Sequence, residues 1–228
     1  MHLESTVDAD RRQHWLSRAA WAGIVGPILF VVAFLAQELA RRNEYDPFAE
    51  TVSALEAGPY GWVQQVNFVV FGVLTIVFAI GLHLGIQRSR AGVVGPALLV
   101  ASGVGSLISA IFPLREDAAG MTYDPGGHMV GGMTFFLGSG VGLIVLSRRL
   151  RHDERWRGLA GYTLGAGLAI VAASPVMTVL VIPDDAPLHD WAGVAQRVIL
   201  LVLFPCRVVL SIRLLRCAGG GWRGLEHR

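Results

Sequence analysis

AAWAGIVGPILFVVAFLAQELA, residues 19–40, carries one acidic and no basic side chain in 22 positions. At 1.5 Å per residue, an α-helix of about 20 residues crosses a hydrocarbon layer of about 30 Å. Five further stretches repeat the pattern: Trp62–Ile86, Val93–Pro113, Met129–Ser147, Leu159–Ile182 and Val194–Leu215. They are about twice as long as the strands of a membrane barrel, so in lipid each must satisfy its own backbone as a helix. The sequence therefore predicts an all-α, polytopic integral membrane protein, a six-transmembrane-helix bundle over residues 19–216. A polar, loosely ordered segment (1–18) precedes it and a polar tail (217–228) follows. The first run is too long for a signal-peptide core and is read as a retained span.

Composition agrees. Hydrophobic residues make up 53% and charged residues 16% of the chain, against about 25% charged in an average soluble domain. The mean hydropathy is +0.53. All 19 basic residues are arginine, and their placement is one-sided. Arg11, Arg12 and Arg18 precede span one, and Arg88 and Arg90 join spans two and three. Arg148, Arg149, Arg151, Arg155 and Arg157 join spans four and five, and Arg213, Arg216, Arg223 and Arg228 close the chain. The opposite connections hold only Arg41, Arg42 and Arg115, while Arg197 and Arg207 lie within span six. The positive-inside rule then predicts a plasma-membrane protein with both termini cytoplasmic. Topology and anionic lipid account for these arginines, so nucleic acid is not a predicted partner.

The arginine-rich links are short and make their flanking spans antiparallel neighbours. The opposite links are longer. In Arg41–Gly61, the helical spacing of Phe48, Val52 and Leu55 suggests a short helix lying flat on the membrane. Leu114–Gly127 is rich in Gly, Asp and Pro and reads as irregular. Two halves of three spans would be inverted in topology, as in inverted-repeat transporters, but the halves share no residue-level similarity. Glycines concentrated in spans three to five, such as Gly105, Gly131, Gly140 and Gly167, predict close helix packing. Cys206 and Cys217 sit eleven residues apart on one helix, about 16 Å along its axis, too far to bridge.

Residues capable of chemistry gather at the acidic, outward end. Gln37 and Glu38 end span one, Gln64 and Asn67 open span two one turn apart, and His128 opens span four. Gln196 and Arg197 open span six, with Arg197 about 9 Å beyond Trp191. A charge at that depth is costly, so it either snorkels or turns inward to pair with Glu38, Asp117 or Asp190. Arg207, nearer the cytoplasmic edge, is expected to snorkel. Pro175 and Pro205 are expected to kink spans five and six. His128 and His189 are weak metal candidates, but no His-x-x-x-His or Cys-x-x-Cys spacing supports a metal, and none is assigned. No Walker loop, dinucleotide fingerprint, nucleophile elbow or facing haem-ligand pair occurs, and no cofactor is implied.

Several short motifs carry a resemblance: Tyr45-Asp-Pro-Phe, Val52-Ser-Ala-Leu-Glu-Ala-Gly and Gly61-Trp-Val-Gln-Gln-Val-Asn-Phe. Further along come Phe112-Pro, Asp117-Ala-Ala-Gly, His128 and Gly193-Val-Ala-Gln-Arg. In this order the chain resembles, from about Trp21 to Leu215, the bacterial membrane family known as domain of unknown function 998, itself distantly similar to DRAM/Sfk-like membrane proteins. The resemblance implies six membrane helices and no particular reaction, cofactor or substrate. The resembling residues Ser53, Asn67, Asp117, His128 and Arg197 cluster at the outward end.

Three functional expectations follow. In the first, an outward pocket lined by Arg197, His128, Asp117, Asn67, Gln64, Ser53 and Glu38 binds, senses or moves a membrane lipid or small amphiphile. In the second, the protein is an intramembrane enzyme, of hydrolase or cyclase type, acting on a lipid or isoprenoid, with His128 and Asp117 as acid/base groups. In the third, it is a structural subunit stabilising a partner membrane protein or a homo-oligomer.

Overall fold

A computed structural model describes residues 2–87, 92–183 and 185–220. Arg88, Arg90, Asp184, Arg223 and Arg228, to which the sequence assigns a side of the membrane, lie outside the described residues. Among the described residues, six helices are long and apolar enough to cross a membrane: α1 (His2–Ala40), α2 (Gly61–Gly85), α3 (Val94–Ile111), α4 (His128–Arg151), α5 (Ala160–Leu180) and α6 (Ala192–Gly220). The protein is a six-helix, multi-pass membrane bundle. Each helix packs on its successor, and α6 returns to pack on α1, closing a ring.

The bundle is turned inside out relative to a soluble protein. Along α1, Val25, Ile28, Val32, Leu35 and Leu39 are exposed at helical spacing, while Gln37 is buried on the opposite side. Apolar groups facing outward cost nothing in lipid, so close backbone approach must hold the helices together. Glycines provide it: a Cβ on Gly105 of α3 would lie 2.6 Å from the Gly131 carbonyl of α4. One on Gly167 of α5 would lie 2.7 Å from the Gly140 carbonyl of α4. Both helices with an internal proline in the second half, α5 (Pro175) and α6 (Pro205), run on through it.

The structure differs from the sequence reading in three segments. Residues 2–18 are not loosely ordered but extend α1. They contain no Pro or Gly, and lengthening an existing helix adds one hydrogen bond per residue fixed. Arg12 ties this extension down by donating to the Leu84 carbonyl at the end of α2, 2.7 Å. Next, the segment expected to lie flat on the membrane is a 3₁₀ turn, Val52–Glu56, folded into the bundle with all five residues buried. Its apolar side chains find cover among helices rather than in lipid. Finally, the 114–127 connection contains a two-strand hairpin, β1 (Arg115–Glu116) and β2 (Thr122–Tyr123), pairing Arg115 with Tyr123 and Glu116 with Thr122.

Candidate functional site

The inward-folded 41–60 loop is a cap over one end of the bundle, and the start of α6 receives it. The first amides of a helix lack internal acceptors; here Gly193 N donates to the Ala49 carbonyl (3.2 Å) and Val194 N to the Phe48 carbonyl (3.1 Å). Only glycine fits at 193, because a Cβ would come within 2.4 Å of the Pro47 and Glu50 carbonyls. Gln196 Oε1 accepts from Val52 N at 2.5 Å. Gly193 and Gln196 of the Gly193–Arg197 motif thus each have a docking task.

Arg197 completes the attachment. Its Nη1 donates to the carbonyls of Glu50 (3.0 Å) and Gly193 (2.9 Å), and its Nη2 to the Tyr45 hydroxyl (2.9 Å) and the Glu38 carboxylate. The arginine faces the bundle and pairs with Glu38, the first of its three candidate partners. The Tyr45 hydroxyl lies 3.0 Å from the Glu50 carbonyl and 2.9 Å from that of Thr51. Burial pushes the phenol up to about 12 against the opposing influence of Arg197, so it keeps its proton and remains a donor.

At the start of α4, His128 is buried with Nδ1 3.0 Å from Glu56 Oε2. The same carboxylate oxygen accepts from Leu114 N at 3.2 Å. Burial raises the Glu56 carboxyl above its ordinary value, with His128 and the Leu114 amide pulling the other way. Asp124 accepts from Gly126 N (2.8 Å), His128 N (3.3 Å) and Met129 N (2.8 Å), capping α4. Slight burial works against ionisation of Asp124, but these amides outweigh it and hold the carboxyl below the usual range.

Beneath the cap lies a cavity of about 910 Å³, to which all six helices contribute. Thr51, Ser53, His128, His189 and Gln196 supply polar groups to its lining, and Phe30, Phe68, Phe71, Phe135 and Phe136 supply aromatic ones, with the Phe68 and His128 ring centres 6.0 Å apart. The rings of Phe30, Phe68 and Phe71 form one cluster, with centroids 4.9–5.6 Å from Phe30.

Of the sequence-predicted site residues, Ser53 and His128 line this cavity, and so does His189. Gln64 and Asn67 stand behind it in the α1–α2 seam. There Gln64 Oε1 accepts from Gln37 Nε2 (3.0 Å) and Asn67 Nδ2 (3.2 Å), and Asn67 also donates to the Phe30 carbonyl (3.1 Å). Glu38 and Arg197 hold the cap from outside the cavity. Asp117 is exposed and accepts from Ala119 N (2.8 Å) and Met121 N (2.9 Å) in its own turn; the structure does not bring it to His128. Glu56 takes that place, and sequence reasoning gave it no role. Its one signal was a lone acid in an otherwise small and apolar run, Val52-Ser-Ala-Leu-Glu-Ala. Among the described residues, no three His, Cys, Asp or Glu side chains converge to hold a metal.

Arg207 departs furthest from its expectation. It does not snorkel but is buried inside the bundle, with Nη1 donating to Thr75 Oγ1 at 2.6 Å. The guanidinium carbon sits 4.7 Å from the Phe71 ring centre and 5.2 Å from that of Phe78. Nε and Nη2 have no partner among the described residues.

The family described as Protein of unknown function (DUF998) matches residues 24–213, and the chain belongs to that family. No curated protein matches the chain, nor does any solved structure.

Proposed function

We propose that this DUF998 protein binds a lipid or small amphiphile in the capped cavity, and so senses or moves a membrane-soluble ligand. The observation that carries the reading is a cavity of about 910 Å³ whose lining combines several phenylalanines with a few polar side chains. Ligand sites are usually apolar clefts of roughly 300–1,000 Å³ with a few fixed polar groups. A headgroup would meet Ser53, His128, His189 and Gln196, and a hydrocarbon chain would follow the phenylalanines. Arg197 and Glu38 serve by holding the cap rather than by touching the ligand. The arginine distribution supports a reading in which this end faces away from the cytoplasm of a plasma membrane. A purely structural subunit calls for a solid bundle and draws no support from such a cavity.

Gly132 offers the test. It lines the cavity on α4, and a Cβ there meets nothing within 4 Å. Gly132→Leu sets its Cβ in open space, projects a larger side chain from the cavity wall and favours the helix by up to about 1 kcal/mol. Native mass spectrometry of gently solubilised protein should show a bound amphiphile on the wild type and its loss from the folded variant. Equal adducts on both would overturn the reading.

One observation favours a second reading, the His128–Glu56 contact. An intramembrane enzyme acting on a lipid or isoprenoid would use His128 as the acid/base group, with Glu56 orienting its ring. His128→Gln would then retain ligand and abolish turnover, whereas a binding protein would show no turnover to lose.

A further inference from the structure

A second groove, of about 420 Å³, lies between the α4–α5 connection (residues 155–159) and the last turns of α6, at the arginine-rich end. Arg155, Trp156, Arg213 and Arg216 line it together with Leu159, Val209 and Ile212. We propose that this groove binds an anionic phospholipid, its phosphate held by Arg213 and Arg216 and its acyl chain lying along Leu159 and Ile212. The site is independent of the capped cavity and of any function assigned to it.

Three observations carry the inference. The first is uncompensated charge. Arg155 is already matched, its Nη2 lying 2.8 Å and its Nε 3.1 Å from the two Asp153 oxygens. Arg213 and Arg216, one turn apart on α6, have no acidic partner among the described residues. The Arg213 Nε donates to the Arg155 carbonyl, which holds its guanidinium at the groove. Two neighbouring guanidinium groups suit a phosphate, whose oxygens accept paired N–H donors.

The second observation is Trp156. It is wholly buried, yet its indole Nε1 has no acceptor among the described residues. Buried tryptophan N–H groups usually find a partner, and an oxygen-rich headgroup would supply one. The third is the combination of walls. Ile212 is 39% exposed, and with Val209 it extends the groove along α6, with Leu159 facing it from the α4–α5 connection. A dissolved anion has no use for that surface, whereas a phospholipid uses both parts. Tryptophan and arginine at a helix end are also what the lipid headgroup layer selects.

The test is a thermal-shift titration of the full chain in neutral detergent with phosphatidylglycerol, phosphatidylcholine or inorganic phosphate. Phosphatidylglycerol should raise the Tm of the wild type, and the other two should not. Each arginine near an anionic lipid surface contributes about 1 kcal/mol, so Arg213→Gln/Arg216→Gln should need roughly 30-fold more phosphatidylglycerol for the same shift. Arg216→Gln alone breaks no ion pair among the described residues and should need roughly fivefold more, which keeps the test open if the double variant does not fold. Trp156→Phe retains a ring but no donor and should also bind more weakly. An equal response to phosphatidylcholine, or unchanged titrations for the variants, would overturn the site. An equal response to inorganic phosphate would reduce it to an anion site and overturn the lipid assignment.

Discussion

Arg197 in the first turns of α6 and Glu38 in the last turn of α1 form an ion pair across 159 residues of sequence. The pair joins the first helix of the ring to the last, and the same guanidinium grips the Glu50 carbonyl and the Tyr45 hydroxyl of the cap. One side chain therefore ties ring closure to cap closure. Its side chain is 20% and that of Glu38 14% exposed, so both charges are largely withdrawn from solvent.

Arg197→Ala should lower the Tm in detergent by the equivalent of about 3 kcal/mol, because removing one partner leaves a largely buried carboxylate alone. Arg197→Lys should recover only part of the loss, since an ammonium cannot reach four acceptors on two sides of a planar group. Tyr45→Phe should cost about 1 kcal/mol, a typical net value for one hydrogen-bonding group. Circular dichroism melts would check all three.

Glu56 supplies a pH dependence. Its carboxyl is raised above the ordinary 4.5 chiefly by burial. Between the ordinary and the raised value, the folded state keeps a proton that the unfolded state has released. Stability therefore falls as pH rises through that window, by roughly 1.4 kcal/mol per unit of upward shift. Below 4.5 both states are protonated and the effect is absent. Glu56→Gln should flatten this limb of a Tm-against-pH profile. His128 and Asp124 face the carboxyl, so the difference between the two profiles reports this coupled cluster with Glu56 at its centre.

The six spans were legible because lipid demands an apolar residue at nearly every position of a crossing helix. Their ends were less so. α4 continues through Arg148, Arg149 and Arg151 to His128–Arg151 because a helix need not stop where the hydrocarbon does. Arg197 was legible too, as a charge too deep to be accidental. The partner of His128 was not. An aspartate in a Gly-rich loop tends to bond its own backbone amides, as Asp117 does, while Glu56 arrives by a folding-in of the cap that has no periodic signature. Arg207 was misjudged because depth along an axis says nothing about which face a residue occupies. From Val198 to Leu210, α6 is apolar at every position except Arg207 and so gives no stripe from which to read that face.

The orientation proposed from the arginine distribution, with the capped end outside the cytoplasm, is open to labelling. In a background with Cys206→Ala and Cys217→Ser, cysteines at Asn43, Ala118 and Asp185, all exposed at the capped end, should react with an impermeant maleimide in intact cells. A cysteine at Arg151, exposed at the other end, should react only after the membrane is opened. Glu56 would be a misleading reporter, since its side chain is fully enclosed. Labelling of Arg151→Cys in sealed cells would reverse the orientation and place the capped cavity inside.

Arg207 gives the least intuitive expectation. Its Thr75 contact and its two flanking phenyl rings are favourable, a desolvated cation–π pair contributing roughly 2 kcal/mol. Against this stand two unpaired nitrogens and a charge with no carboxylate opposite it among the described residues. Withdrawing such a charge from water costs several kcal/mol even after relaxation. Arg207→Met keeps most of the volume and removes the charge. Thr75 loses little, since its hydroxyl still donates to the Phe71 carbonyl at 2.6 Å. The variant should therefore melt at the same temperature as the wild type or above it. Arg207→Ala should melt lower, because it leaves a cavity between Phe71 and Phe78. A clear drop for Arg207→Met would mean that the charge is compensated in the membrane by a group that the protein itself does not supply.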